Sequence, residues 1–307
     1  MKKLFLLLLL LSRPCFAQCG ITITASSVPI SYNQNFNFQA VTISVKKAQK
    51  AACTVGVTFT AGGSGVYGAR RMLNGSAALA YQLYQDSALT HVLKDFPDLA
   101  STNDFFLLSF PVGRKLSQTV TYYIKIPPTT QQLSPAGTFI DNFTIKAYEG
   151  SNFSNYSIID NVASVNVSAT IPKMVALSLV GVGQAFDPNS TSQSLNFGTL
   201  ANGAVLAFDL LVQTNAGFAI TFSSQHNGVL QNSSPQINTV VGYGLQVDGS
   251  AKSLSASATA PVVVATGSGQ TSISGNRHNV AVTIGSVNAS MAGIYSDNIT
   301  VTATTTE

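Results

Sequence analysis

Three histidines, three cysteines and twelve carboxylates are the residues of this 307-residue chain with chemistry to offer. His91, His226 and His278 stand far apart, and none sits in a motif that holds a metal ion or activates a nucleophile. The carboxylates are scattered, and no spacing singles out a pair for general acid and base work. Gly63-Ser64-Gly65-Val66-Tyr67-Gly68 matches GxGxxG, but no helical pattern follows to present a phosphate site, so the match is chance. These residues point to no enzyme, no metal and no cofactor.

The N-terminus reads as a secretory signal over residues 1–17. Lys2 and Lys3 precede eight apolar residues, 4–11, and a small-residue site ends at Ala17. Eight apolar residues are too few to span a bilayer. Cleavage removes Cys15 together with Lys2, Lys3 and Arg13, so 16 basic residues become 13 against 12 acidic. The net charge of the precursor, +4, is largely that of the leader, and nothing in the bulk charge favours nucleic acid. Cys19 and Cys53 remain, an even pair that in an exported protein reads as one disulfide within the first domain. Closing a loop of that length stabilises by roughly 3–4 kcal/mol in the chain-entropy picture.

The elements that position these residues are strands. Charged residues are only 9% of the chain while 45% are hydrophobic, so Ser, Thr, Asn, Gln and Gly supply the polarity. Residues 136–148 (AGTFIDNFTIKAY) recur as 292–304 (AGIYSDNITVTAT): an aromatic, an Asp-Asn pair and an alternating strand. The chain therefore carries two related β-domains. After the first copy a further strand pattern appears, with Val165, Val167, Ala169 and Ile171 alternating with polar residues; after the second, three residues remain. The first domain is expected to own a closing strand that the second lacks.

Strand patterns fall at 20–24, 36–45, 54–60, 78–84, 119–126, 139–148 and 162–170, then at 175–182, 193–200, 205–213, 218–223, 240–247, 261–266, 280–284 and 294–302. Only residues 82–95 leave room for a helical turn. The fold class is all-β: two immunoglobulin-like sandwiches in tandem, residues 18–170 and 171–307, the second incomplete. Pro172 interrupts the extended run at the boundary, and the short linker suggests domains stacked end to end. Asp141 and Asp297 are expected to bond turn amides. Arg70 and Arg71 are expected to make structural contacts.

Arg70-Arg71-Met72, the run Leu79-Ala80-Tyr81-Gln82-Leu83-Tyr84-Gln85-Asp86, and Ala136-Gly137 with Asp141 resemble the spore coat protein U domain. That domain builds the subunits of archaic chaperone–usher pili. Cys19 and Cys53 match its disulfide pattern, and Leu195-Asn196-Phe197-Gly198-Thr199-Leu200 resembles a pilin segment in the second domain. One departure is a missing Trp-Gly after the Tyr-x-Leu-Tyr-x-Asp run; residues 92–97 stand there instead.

The resemblance implies incomplete sandwiches, completed by a periplasmic chaperone and then by a strand donated from an adjacent subunit at the outer-membrane usher. It implies an exported protein at the cell surface. With the mature chain expected to begin one residue before Cys19, no donor extension is foreseen, which suits the tip adhesin of such a pilus in biofilm attachment. The resemblance places contact with an abiotic or host surface on apolar loops of the first domain: Val28, Pro29 and Ile30; Val92, Leu93, Phe96, Phe105, Phe106, Leu107 and Leu108; and Phe153, Tyr156 and Ile158. The other expectations are a non-adhesive pilus or coat subunit, and a lectin tip with a polar pocket of Tyr, Asn and Arg.

Overall fold

The computed structural model describes residues 19–32, 36–127, 134–150, 158–234 and 239–306. Strands dominate these residues, and helix is limited to three single 3-10 turns, at Gly62–Ser64, Tyr67–Ala69 and Thr102–Asp104. Among the described residues no helix is long and apolar enough to cross a membrane. The chain divides into two compact units, residues 1–127 with 138–169, and residues 128–137 with 170–307.

In the first unit the strands are β1 (Ile21–Thr24), β2 (Val28–Ser31), β3 (Gln39–Lys47), β4 (Cys53–Phe59), β5 (Arg71–Asn74), β6 (Ala77–Ala80), β7 (Gln82–Tyr84), β8 (Phe106–Phe110), β9 (Leu116–Lys125), β10 (Gly137–Glu149) and β11 (Ile158–Ile171). One sheet runs β1-β3-β9-β7; the other runs β2-β11-β10-β4-β8, with β5 and β6 joined to β10. Alternation of apolar and polar residues assigns each strand a face. Ile43 and Val45, Val120, Tyr122 and Ile124, Val55, Val57 and Phe59, and Val165, Val167 and Ala169 all point inward and are buried. At the centre, the Phe59 and Tyr122 rings lie 5.0 Å apart, and both contact Phe143 at 6.2 Å. Cys19 and Cys53 form the expected disulfide.

The second unit holds β12 (Val175–Val180), β13 (Val205–Thr214), β14 (Gly217–Ser224), β15 (Val229–Asn232), β16 (Val240–Val247), β17 (Ser250–Lys252), β18 (Val262–Gly267), β19 (Asn276–Ile284), β20 (Tyr295–Ser296) and β21 (Ile299–Thr306). Its larger sheet runs β12-β13-β19-β16-β15-β20 and its smaller one β18-β14-β21. The core gathers Phe208, Leu210, Val212, Phe218, Ile220, Phe222, Val280 and Val282.

Several expectations are corrected. Residues 193–200 form no strand, although Leu195 and Phe197 pack against the core. Three strands were not foreseen: β2, β5 and β8. No helix forms over residues 82–95, where β7 is followed by turns and a bridge between Tyr84 and Val92.

Candidate functional site

The repeated strand occupies two different environments. In the first unit β10 lies between β4 and β11, and its inward Phe139, Phe143, Ile145 and Ala147 are essentially inaccessible. In the second unit β21 pairs with β14 along Gly217↔Thr306 to Ser224↔Ile299. On its other side β21 has no strand partner among the described residues. The register is shared, since Ile145 faces Phe59 and its counterpart Val301 faces Phe222. The burial is not shared: Ile299, Val301 and Ala303 remain half-exposed, as do Leu195 and Phe197. An apolar strip with an open hydrogen-bonding edge results, the arrangement that accepts an added strand or aggregates.

The two aspartates of the repeat are structural anchors. Asp141 accepts from Tyr81 Oη at 2.7 Å and from the N–H of Gly63 at 2.9 Å. Asp297 accepts from Tyr243 Oη at 2.6 Å, from Ser224 Oγ at 2.6 Å and from the N–H of His226 at 3.0 Å. Burial pushes both phenols up, and the bond to a carboxylate adds to that shift. Ser224 thus bonds a carboxylate rather than an imidazole, which gives it no activating base. The turn that receives Asp141 requires glycine at residue 62, whose φ is +73° and whose Cβ would lie 2.3 Å from the carboxylate.

The residues expected to face a surface divide. Val28 and Ile30 point into the core from β2, leaving Pro29 exposed. Leu93 and Phe105 are wholly buried. Phe96 stacks edge-on against Tyr148 at 5.0 Å, and Phe106 packs at 6.1 Å against Phe59. Val92, Phe96, Phe106 and Leu108 are half-buried, and Leu107 is exposed. Phe153 and Tyr156 lie outside the described residues, as does the Ile158 side chain.

Arg70 explains why the long segment folds back. Its buried guanidinium donates to the carbonyls of Thr60 and Leu93, both at 2.8 Å, and to Gln82 Oε1. It also sits 5.0 Å from the centre of the Tyr67 ring, and burial pulls its pKa down to about 10. Asp95 adds a second pin, accepting from Thr58 Oγ1 at 2.7 Å and Lys146 Nζ at 2.6 Å.

An open cleft of about 380 Å³ is lined by Tyr67, Gln82, His91 and Asn103 among others. Much of its polarity is already committed. Tyr67 Oη accepts from the N–H of Asp95, and Gln82 Nε2 donates to Tyr67 O. Asp104 accepts from the N–H groups of Ala100 and Ser101. The three histidines each sit beside a different aspartate, Asp86, Asp297 and Asp248, and share no site. Cys19, Cys53 and Glu149 form a trio of metal-ligating types, but both sulfurs are spent in the disulfide.

Residues 7–146 match the family model of the Spore Coat Protein U domain. The match ends within β10, so β11 lies beyond it. No curated relative matches the sequence. In structure the chain is similar to the CsuC–CsuE complex of chaperone and tip adhesion subunit from the archaic chaperone–usher Csu pili of Acinetobacter baumannii. There the identity is 11% and the TM-score 0.44, over 92% of this chain and 99% of that one. It is similar also to CfaE, the adhesive subunit of CFA/I fimbria of enterotoxigenic Escherichia coli, at 12% identity and TM-score 0.41, over 92% and 94% of the two chains. The CooA pilin subunit of enterotoxigenic Escherichia coli matches at 12% identity and TM-score 0.30, over 49% of this chain and 97% of that one.

Proposed function

We propose that this chain, a member of the Spore Coat Protein U domain family through residues 7–146, is the adhesive tip subunit of an archaic chaperone–usher pilus. The observation that carries this reading is the contrast between β10 and β21. The family domain reaches only into β10, and the first unit closes that position with its own β11. The second unit leaves the matching edge of β21 open beside half-exposed Ile299, Val301 and Ala303. One self-completed unit joined to one that accepts a strand suits a subunit whose second unit docks into the fibre while the first meets a surface. During export a periplasmic chaperone would cover the edge, and a neighbouring subunit would replace it at the usher.

Contact with an abiotic or host surface is assigned to the first unit. Exposed Leu107 and Pro29 lead that surface, with half-exposed Val92, Phe96, Phe106 and Leu108 beside them. Phe153, Tyr156 and Ile158 belong to the same assignment.

The test is co-expression of the full chain in periplasm with a chaperone of this pilus class. The wild-type chain is expected to co-purify with the chaperone, and Val301→Asp, which places a charge in the apolar strip, to lose it. Stable secretion of monomeric full chain without any chaperone would overturn the strand-accepting role.

A further inference from the structure

At one end of the first unit, two hairpin loops are braced into a single basic platform. The loops are residues 48–52, between β3 and β4, and 111–115, between β8 and β9. Lys47 is fully buried beneath them, and its Nζ donates to the carbonyls of Ala51 and Pro111, both at 2.6 Å. The N–H of Gly113 donates to Lys50 O at 2.9 Å, and that of Gln49 to Cys19 O at 3.1 Å. The Cys19–Cys53 disulfide closes the same end.

Lys46, Lys50, Arg114 and Lys115 are exposed around this platform. Among the described residues none of the four makes an ion pair or a side-chain hydrogen bond, and no carboxylate lies within ion-pair distance of Lys47. Five of the 13 basic residues outside the leader thus sit in two short segments. The acidic residues on strands that reach this end are Glu149, which accepts from the N–H of Cys19, and Asp160 on β11. On a chain otherwise balanced in charge, such a concentration raises a local positive potential within one Debye length, about 8 Å at physiological salt. The buried ammonium adds to that field, because its two carbonyl partners solvate the charge without cancelling it.

We propose that this end of the first unit binds a polyanion, specifically an acidic polysaccharide carrying sulfate or carboxylate groups. Exposed cations on two adjacent loops match a chain of repeating charges, which releases several counterions at once as it settles. Arg114 offers a planar fork for a sulfate or carboxylate. An anionic bilayer is the poorer partner. Stable membrane attachment takes a polybasic patch together with a substantial apolar anchor, and exposed Val112 is the single large aliphatic side chain on these loops. The proposal stands on the first unit alone and does not depend on β21 accepting a strand.

The test titrates fluorescein-labelled heparin with the full chain at 50 and 200 mM NaCl. Neutral dextran and phosphatidylserine–phosphatidylcholine vesicles serve as the other arms. Heparin is expected to bind at least tenfold tighter than dextran and tighter than the vesicles, with affinity falling as salt rises. The triple variant Lys50→Glu/Arg114→Glu/Lys115→Glu should lose at least tenfold and show a shallower salt dependence. Lys173→Glu/Lys252→Glu, in the second unit, should stay within twofold of wild type. Should the triple variant fail to fold by near-ultraviolet circular dichroism, Arg114→Ser/Lys115→Ser decides, with a loss of threefold or more expected. Heparin binding no tighter than dextran, variants that bind as well as wild type, or preference for the vesicles would each overturn the proposal.

Discussion

Tyr81 donates its phenol proton to Asp141 at 2.7 Å, and Tyr243 repeats the bond with Asp297 at 2.6 Å. In each unit the pair holds the start of the repeated strand against a turn, through the N–H of Gly63 in one and of His226 in the other. Removing the phenol oxygen leaves a buried carboxylate short of a donor. Tyr81→Phe is therefore expected to destabilise by about 1–3 kcal/mol, read as a lower urea midpoint at unchanged slope. An unchanged midpoint would mean water replaces the phenol.

Alkaline pH should weaken the fold through the same groups. Burial raises the phenols of Tyr81, Tyr122, Tyr148 and Tyr243, with carboxylate neighbours adding to the shift in all but Tyr122. A raised folded pKa means that stability is fully present below the unfolded value, about 10, and lost as pH rises through the folded one. Melting temperature should hold up to about pH 10 and fall beyond it, less steeply in Tyr81→Phe. A flat profile to pH 12 would contradict the burial of these phenols.

Acid acts on the second unit through Asp209. Burial pushes this carboxyl up, but bonds from the N–H of Gly183, from Asn279 and from Arg277 outweigh that and hold it below the usual carboxylate range. Its contribution is present above the unfolded value, about 3.9, and fades as pH falls through the depressed folded value. Asp209→Asn should lower stability by about 1–3 kcal/mol near neutrality, where a charge-assisted bond is lost. The gap to wild type should close in thermal melts below about pH 3. A gap independent of pH would assign the loss to packing.

Hydrogen exchange should separate the two copies of the repeat. Amides of β10 are expected to be protected, whereas outward-facing amides of β21 should exchange faster by orders of magnitude, because its outer edge lacks a partner. A strand-donating peptide or a bound chaperone should slow them. Equal protection in the free chain would mean that the edge is already covered.

Leu107 and Phe105 are neighbours with opposite roles. Leu107→Ser is expected to reduce attachment to polystyrene while leaving the melting temperature within about 2 °C, since exposed positions seldom change stability by more than about 0.5 kcal/mol. Phe105 is wholly buried, so Phe105→Ser should cost about 3–5 kcal/mol, the range for emptying a large core site. Loss of attachment from Phe105→Ser alone would implicate folding rather than contact.

The strands were legible where residues alternate, as in 137–149 and 299–306, because the pleat turns alternation into burial. β2 escaped notice because Val28-Pro29-Ile30 is short and carries a proline that normally marks a turn. Residues 193–200 misled in the other direction. The segment has a strand's composition, but a strand is defined by its partner, and none stands beside this one among the described residues. The apolar run from Val92 to Leu108 could not be resolved by composition, since a loop that packs and a loop that projects use the same side chains. Long-range bonds made the choice: Arg70 to Leu93 O and Asp95 to Thr58 drew part of it inward.

The sequence by itself determined that this is an all-β chain with a repeated strand, one disulfide pair and few charges. Those properties follow from local residue order and count. Only the tertiary structure decided which copy of the repeat is covered and which is open, because burial depends on what lies across the sheet. It alone gathered Lys46, Lys47, Lys50, Arg114 and Lys115 onto one end. These cations lie in two segments some 65 residues apart in sequence, joined there by the pairing of β3 with β9 and of β4 with β8.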